Sequence, residues 1–196
     1  MKKNIITVGR EFCTGGLDIA RQVAERLNVP MYDKELITLA AKESGLSEQA
    51  IAASEKRHTG SLLYGLYTMG GELPLCDQVF VLQSQIIRQL AEKGPCVIVG
   101  RCGDYVLRQR ADVLRVFVHA PMEHRLQRAA ARGVGGENAE QKTRAALLER
   151  EDKRRAGYYN YYTENRWGEA GHYDLCLNAA LGDEVCAALI LQAAKG

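Results

Sequence analysis

The chain has 196 residues, 46% of them hydrophobic and 26% charged, and a formal net charge of +2. That length suits one domain with room for a small insert, and the apolar share suffices for a real core. The near-neutral balance sets aside nucleic-acid or membrane binding through bulk charge, so any anion preference must come from local arginines.

Ile5–Val8 reads as a short buried strand. "GREFCTGG" follows it and opens a helix from about Gly16 to Leu27, with Ile19, Val23 and Leu27 on one face. "NVPMYD" gives a turn and a short strand, and helical pieces are expected near Lys34–Ser44 and Ser47–Arg57. "HTGSLLYGLYTMGGELPL" reads as a loop or small lid-like insert, near 54–75. Asp77–Lys93 is a helix stopped by Gly94 and Pro95. "CVIVG" and "VLRVFVHA" have the composition of central strands buried on both faces. Pro121 starts a helix running to about Arg132, "GVGG" breaks it, and Asn138 with Gln141 resembles a capping box for a charged helix through Arg155. "YDLCLNA" is a last strand and Asp183–Ala194 a terminal helix. Alternating strands and helices specify an α/β fold: a parallel sheet with helices on both faces, its ligands at the carboxyl ends of the strands.

The cysteines form no Cys-x-x-Cys pair and several sit in apolar runs, so they read as buried free thiols of a reducing, cytoplasmic compartment. No run approaches the ~18 apolar residues of a membrane span, and the one after Lys2 and Lys3 is too short for a signal peptide. The four histidines have no metal-ligand spacing and read as structural or exposed.

Four constellations lie where a ligand would. A loop opening a helix directs backbone N–H groups and the helix dipole at one spot, so "GREFCTGG" is either a phosphate cradle or a structural turn. Gly9 and Gly15 are one residue further apart than in Gly-x-x-x-x-Gly-Lys-Ser/Thr, and Gly16 stands where the lysine would be. Arg101, just past "CVIVG", either meets a substrate phosphate with its planar fork or pairs with Asp104 or a helix carboxylate. Arg125, Arg128 and Arg132 share one helical face ahead of glycines that supply a hinge: a lid over a polyphosphate, or a solvated charged face. The segment from Arg150 to Trp167 interleaves arginines with tyrosines; it can stack on nucleic acid, clamp one nucleotide, or pack its rings on the sheet.

"ITVGREFCTGGLDIARQVAERLNVPMYDKELI", "VLQSQIIRQLAEKGPCVIVGRCGDYVL" and "DKRRAGYYNYYTENRWGEAGHYDLCLN", in that order, resemble the bacterial cytidylate kinase-like family, variant relatives of the P-loop nucleoside monophosphate kinases. The resemblance covers nearly the whole chain. It implies a single domain with a three-layer P-loop kinase-like fold, a five-stranded parallel sheet, a short acceptor-side insert near 54–75 and a lid-like segment near 121–157. The implied reaction moves the γ-phosphoryl group of ATP, with Mg²⁺, to CMP or dCMP; small nucleotides are the expected partners, with no nucleic acid and no membrane.

By position, Arg10, Glu11, Phe12, Cys13, Thr14, Gly15 and Gly16 would cradle the donor phosphates, with Arg132 assisting. Arg10, Arg125 and Arg128 would act on the transferring group. Asp33, Arg101, Asp104, Asp152 and Arg155 match acceptor-side positions. Aligned through "DIARQVAERL", Gly16 replaces the family's lysine and Asp18 its metal-holding Thr/Ser, so Arg10 becomes the nearest replacement charge and Thr14 and Asp18 the nearest metal ligands. A non-catalytic nucleotide sensor or scaffold, a kinase for another small acceptor, and a nucleic-acid-binding protein are the alternatives.

Overall fold

The structure is a computed structural model in which residues 2–54 and 73–196 are described. The insert expected near 54–75 falls almost wholly on 55–72 and lies outside the described residues. Five strands, β1 (Ile5–Arg10), β2 (Met31–Tyr32), β3 (Cys96–Val99), β4 (Val113–His119) and β5 (Leu175–Asn178), form one sheet in the order β2-β3-β1-β4-β5. Every pairing is parallel. β3 is buried along its whole length, as its unbroken apolar run requires of a strand covered on both faces.

Among the described residues the α-helices are α1 (Gly16–Leu27), α2 (Glu35–Ser44), α3 (Glu48–Ser54), α4 (Leu75–Lys93), α5 (Gly103–Val106), α6 (Met122–Ala131), α7 (Gln141–Tyr162) and α8 (Asp183–Lys195). On one face of the sheet, Ile19 and Val23 of α1 and Cys186 and Ile190 of α8 pack on Ile6, Val8, Val97 and Val116. On the other, Leu36 of α2, Ile51 of α3 and Ile86, Ile87 and Leu90 of α4 pack on Ile5, Cys96, Ile98 and Val113. The alternation of side chains along β1 sends Ile5 to one layer and Ile6 to the other. A third cluster joins Leu126 and Ala129 of α6 and Leu148 of α7 to Cys13, placing the 121–157 segment on the first loop.

Several expected boundaries move. The capping box does not form: Asn138 lies before the helix, and Glu140 takes the N-cap with no side-chain bond. α7 runs on through Tyr162, because the tyrosine segment has a sheet-side partner in α4: Tyr162 stacks on Phe80 at 4.0 Å. The glycine break is a tied turn. Gly133, Gly135 and Gly136 take left-handed φ, and Arg144 donates to the carbonyls of Val134, Gly136, Glu137 and Ala139. The cysteines are all free; Cys13, Cys96, Cys102 and Cys186 are buried, Cys76 is half-buried, and Cys176, expected inside, is exposed on the edge strand β5.

Candidate functional site

The sheet register brings the two glycine motifs together. Val8 of β1 pairs with Val99 of β3, so Gly9–Arg10 and Gly100–Arg101 leave the same edge side by side. Gly100 N donates to Val8 O at 3.0 Å and closes that corner. Gly100, Arg101 and Cys102 then have φ of 75°, 49° and 54°. Three successive left-handed residues, two of them not glycine, are costly backbone and accumulate where a function over-determines the fold. Here they turn Arg101 to Asp33.

The result is a cavity of about 280 Å³ between the ends of β1 and β3, the start of α2 and the middle of α7. Its walls carry Arg10, Lys34, Arg101, Arg154 and Arg155 against the carboxylates Asp33 and Asp104. Arg10 Nη2 and Arg101 Nη1 both donate to Asp33 Oδ1 at 3.3 Å. Arg155 Nη1 donates to the Arg10 carbonyl at 2.9 Å and its guanidinium lies 5.2 Å from the Phe12 ring. Arg154 is tied to Glu151. Burial, then the neighbouring Arg101, pushes the Arg10 pKa down even though Asp33 opposes it. Burial and the proximity of Arg10 push that of Arg155 down to about 10. Desolvated cations gathered around one cavity form a site that suits an anion. Asp104 is the polar group at the back. Tyr159 Oη donates to its Oδ2 at 2.6 Å, and burial holds its pKa above the ordinary value.

The first loop is the second half of the site. Cys13 and Gly15 are both left-handed (φ 62° and 89°) with Thr14 between them, the alternation that bends successive amides into an anion-binding concavity. The amides of Cys13, Thr14 and Gly15 donate to no acceptor among the described residues, and Gly15 caps α1 without a side-chain bond. Unsatisfied donors at a helix N-terminus, with the dipole behind them, suit phosphate. The loop is braced from below. Asp152 Oδ1 accepts from Phe12 N at 2.7 Å, and Arg125 Nε donates to Phe12 O at 2.9 Å. Arg125 also pairs with Asp152 and, at 3.3 Å, with Glu11. Thr14 is buried; its hydroxyl donates to Glu11 O at 3.0 Å and accepts from Gly16 N at 3.2 Å.

On the lid side, the Arg128 guanidinium lies directly over Gly15. A Cβ built there would displace the guanidinium, and the φ of 89° is one that favours glycine. Arg128 Nη1 and Nη2 donate to Asp183 Oδ1 and Oδ2 at 2.8 and 2.9 Å, and Nη2 also to Asp18 Oδ2 at 3.1 Å. Asp18 is further paired with Arg132 and Arg21. Hydrogen bonding to Asp183 holds the Arg128 pKa above its ordinary value.

The sequence-expected residues therefore fall into three groups. Arg10, Asp33, Arg101, Asp104 and Arg155 line one cavity. Arg125 and Asp152 sit beneath the loop as a buried brace, with Glu11 beside them. Asp18, Arg128 and Arg132 form a network across the mouth of α1. Arg101 pairs with Asp33 and not with Asp104. Arg154, Tyr158 and Tyr159 complete the cavity. Their spacing puts them with Arg155 on one face of α7, and that periodicity was the available signal. Trp167 ends the arginine–tyrosine segment; Lys34, Tyr173 and Asp183 had no local pattern. The rings of Tyr159 and Tyr162 pack inward, onto Asp104 and Phe80.

Mg²⁺ finds no ready protein seat here. The Thr14 hydroxyl is spent inside the loop, and both Asp18 oxygens face arginines. Among the described residues no group of three or more His, Cys, Asp or Glu is placed to hold a metal.

A model of the cytidylate kinase-like family matches residues 5–180. No curated protein matches. The chain is similar to the crystal structure of an uncharacterized protein from Eubacterium ventriosum, 26% identical over 98% of each chain with a TM-score of 0.75. It is similar in fold to shikimate kinase from Bacteroides thetaiotaomicron (14% identity, 96% and 97% covered, TM-score 0.55) and to a gluconokinase from Sinorhizobium meliloti (14%, 98% and 89%, 0.51). The sheet and its flanking helices are those of a P-loop kinase. No helix among the described residues is long and apolar enough to cross a membrane.

Proposed function

The chain belongs to the cytidylate kinase-like family, and from that premise we propose that it is a phosphotransferase moving the γ-phosphoryl group of ATP to a nucleoside monophosphate, CMP or dCMP. The observation that carries this is the double use of Arg10. Its backbone begins the phosphate loop, and its guanidinium lies on Gly100 and Asp33 in the cationic cavity. Donor and acceptor sites thus share a wall one residue thick. Phosphoryl transfer needs two anionic groups brought into line and their charge neutralised, with little covalent help from the protein.

In this reading the loop amides and the α1 N-terminus hold the donor phosphates, with Arg128 and Arg132 above them. Arg101, Arg154 and Arg155 hold the acceptor phosphate. The acceptor oxygen forms its bond to the γ-phosphorus as the bond to the β–γ bridging oxygen breaks, and Arg10 faces the developing charge. A monophosphate acceptor already carries an ionised oxygen and needs no base. Mg²⁺ would accompany the ATP phosphates; no step is assigned to it, since Thr14 and Asp18 as they stand do not fit the ion. The 121–157 segment, packed on the loop through Leu126 and Leu148, would serve as the lid.

A coupled assay with ATP across the nucleoside monophosphates tests the proposal, with small hydroxy acids such as shikimate and gluconate as a second arm. Turnover confined to CMP and dCMP is expected. Turnover with a hydroxy acid alone would move the acceptor class and keep the kinase. ATP binding by calorimetry without turnover on any acceptor would leave a nucleotide sensor.

A further inference from the structure

Gly16 removes the loop's own cation, so something else must face the donor phosphates if the kinase reading holds, and this inference rests on that reading. Arg10 is turned away into the cavity and tied to Asp33. Arg125 is spent beneath the loop on Phe12, Glu11 and Asp152. Arg132 is the most exposed of the lid arginines. Arg128 differs from all of these in where it lies and in what it has left to give. Its guanidinium touches Gly15, beside the amides of Cys13, Thr14 and Gly15 that donate to no described acceptor. Its end-on pair of N–H groups is held by Asp183 in a two-point fork. Its side edge, Nε with Nη2, is only half used: Nη2 reaches Asp18, and Nε is buried without an acceptor among the described residues. A buried guanidinium N–H left unmet is costly and marks a missing partner. A phosphate oxygen pair matches the geometry of that edge, and a single carboxylate oxygen at 3.1 Å does not fill it.

We infer that Arg128 supplies from α6 the phosphate-facing charge that the loop lysine would have supplied, and that Asp183, the first residue of α8, is the positioning residue that aims it. Asp183 grips one edge of the guanidinium and leaves the other over the loop. Asp18 holds that second edge in part and yields it to phosphate, whose greater negative charge and two oxygens out-compete one carboxylate oxygen. The arrangement fixes the cation without a residue at position 16 and couples α8, at the far end of the chain, to the donor site.

Calorimetric titration of the intact protein with inorganic tripolyphosphate, alongside thermal unfolding, tests this. Asp183→Asn keeps shape and loses charge. It should weaken tripolyphosphate binding by about tenfold, the worth of a charge-assisted two-point hold, with its melting temperature retained, and Asp183→Glu should recover most of the loss. Should Asp183→Asn fail to fold, Arg128→Lys carries the test. It keeps a cation and lacks the side edge, and about tenfold weaker binding is again expected. Wild-type affinity in either variant, or loss in Asp183→Asn that Asp183→Glu does not recover, overturns the positioning role. A wild-type protein that binds no tripolyphosphate overturns the donor site and this inference together.

Discussion

The two sides of the first loop hold arginines in opposite ways. On the cavity side Arg10 and Arg101 share one oxygen of Asp33, and their side chains are 18% and 12% exposed. On the lid side Arg128 and Arg132, at 23% and 45%, meet Asp18, and Arg128 has Asp183 besides. The cavity cations converge on one carboxylate oxygen and are fixed by backbone, in β1 and in the left-handed turn after β3. The lid cations are held by carboxylates of α1 and α8, with Nε of Arg128 unmet among the described residues. Charge fixed by backbone suits a site that must present the same shape to each acceptor. Charge held by exchangeable carboxylates suits a site that closes over a ligand and opens again.

That contrast can be broken in stages. Arg10 belongs to both halves, so Arg10→Ala should cause the largest loss, about 10³-fold in kcat/KM in the coupled assay. Retained activity would show that the loop and cavity do not work as one site. Arg101→Ala should raise the acceptor KM by about 10²-fold and leave the donor KM within a few-fold. An equal rise in both would erase the distinction between the sides. Arg125→Ala belongs to neither side: it removes a buried guanidinium and the ion-pair partner of half-buried Asp152, and chemical unfolding should report about 3 kcal/mol of lost stability. Arg132→Ala, at the exposed end of the lid network, should change donor affinity by no more than about threefold.

The smallest expected effect concerns Asp104, whose pKa burial raises above its ordinary 3.8. A raised folded-state value means that the folded chain holds the proton more tightly than the unfolded one. The contribution to stability is complete below about pH 3.8 and is lost as pH climbs through the raised value. Asp104→Asn cannot ionise, so its melting temperature relative to wild type should rise by a few degrees from about pH 4 to about pH 7. A constant difference would mean that the Tyr159 hydrogen bond fully offsets the burial.

Much of this architecture could be read from residue order alone. The apolar runs of β1, β3 and β4 have no polar alternation and so had to be central; the glycine motifs after β1 and β3 had to share an edge, and Arg10, Arg101 and Asp33 met there. What residue order could not supply was direction. Arg125 and Arg128 sit on one face of α6, yet one points under the loop and the other over it, a choice made by Asp152 and Asp183 from distant helices. Asp152 was expected at the acceptor and is drawn instead to the Phe12 amide. Arg154 and Tyr159 join the cavity only because α7 continues past Arg155, which its tertiary contacts with α4 decide.

One contact bears on how such a loop could ever change. A Cβ at position 16 would lie 2.8 Å from Cβ of Arg10. A lysine restored at Gly16 would therefore collide with the residue that forms the wall of the cavity, and accommodating it means shifting Arg10. A side chain at position 16 and Arg10 as it stands are mutually exclusive in this backbone. A lysine at position 16 therefore takes more than one substitution, because Arg10 and the cavity wall that it forms must move with it.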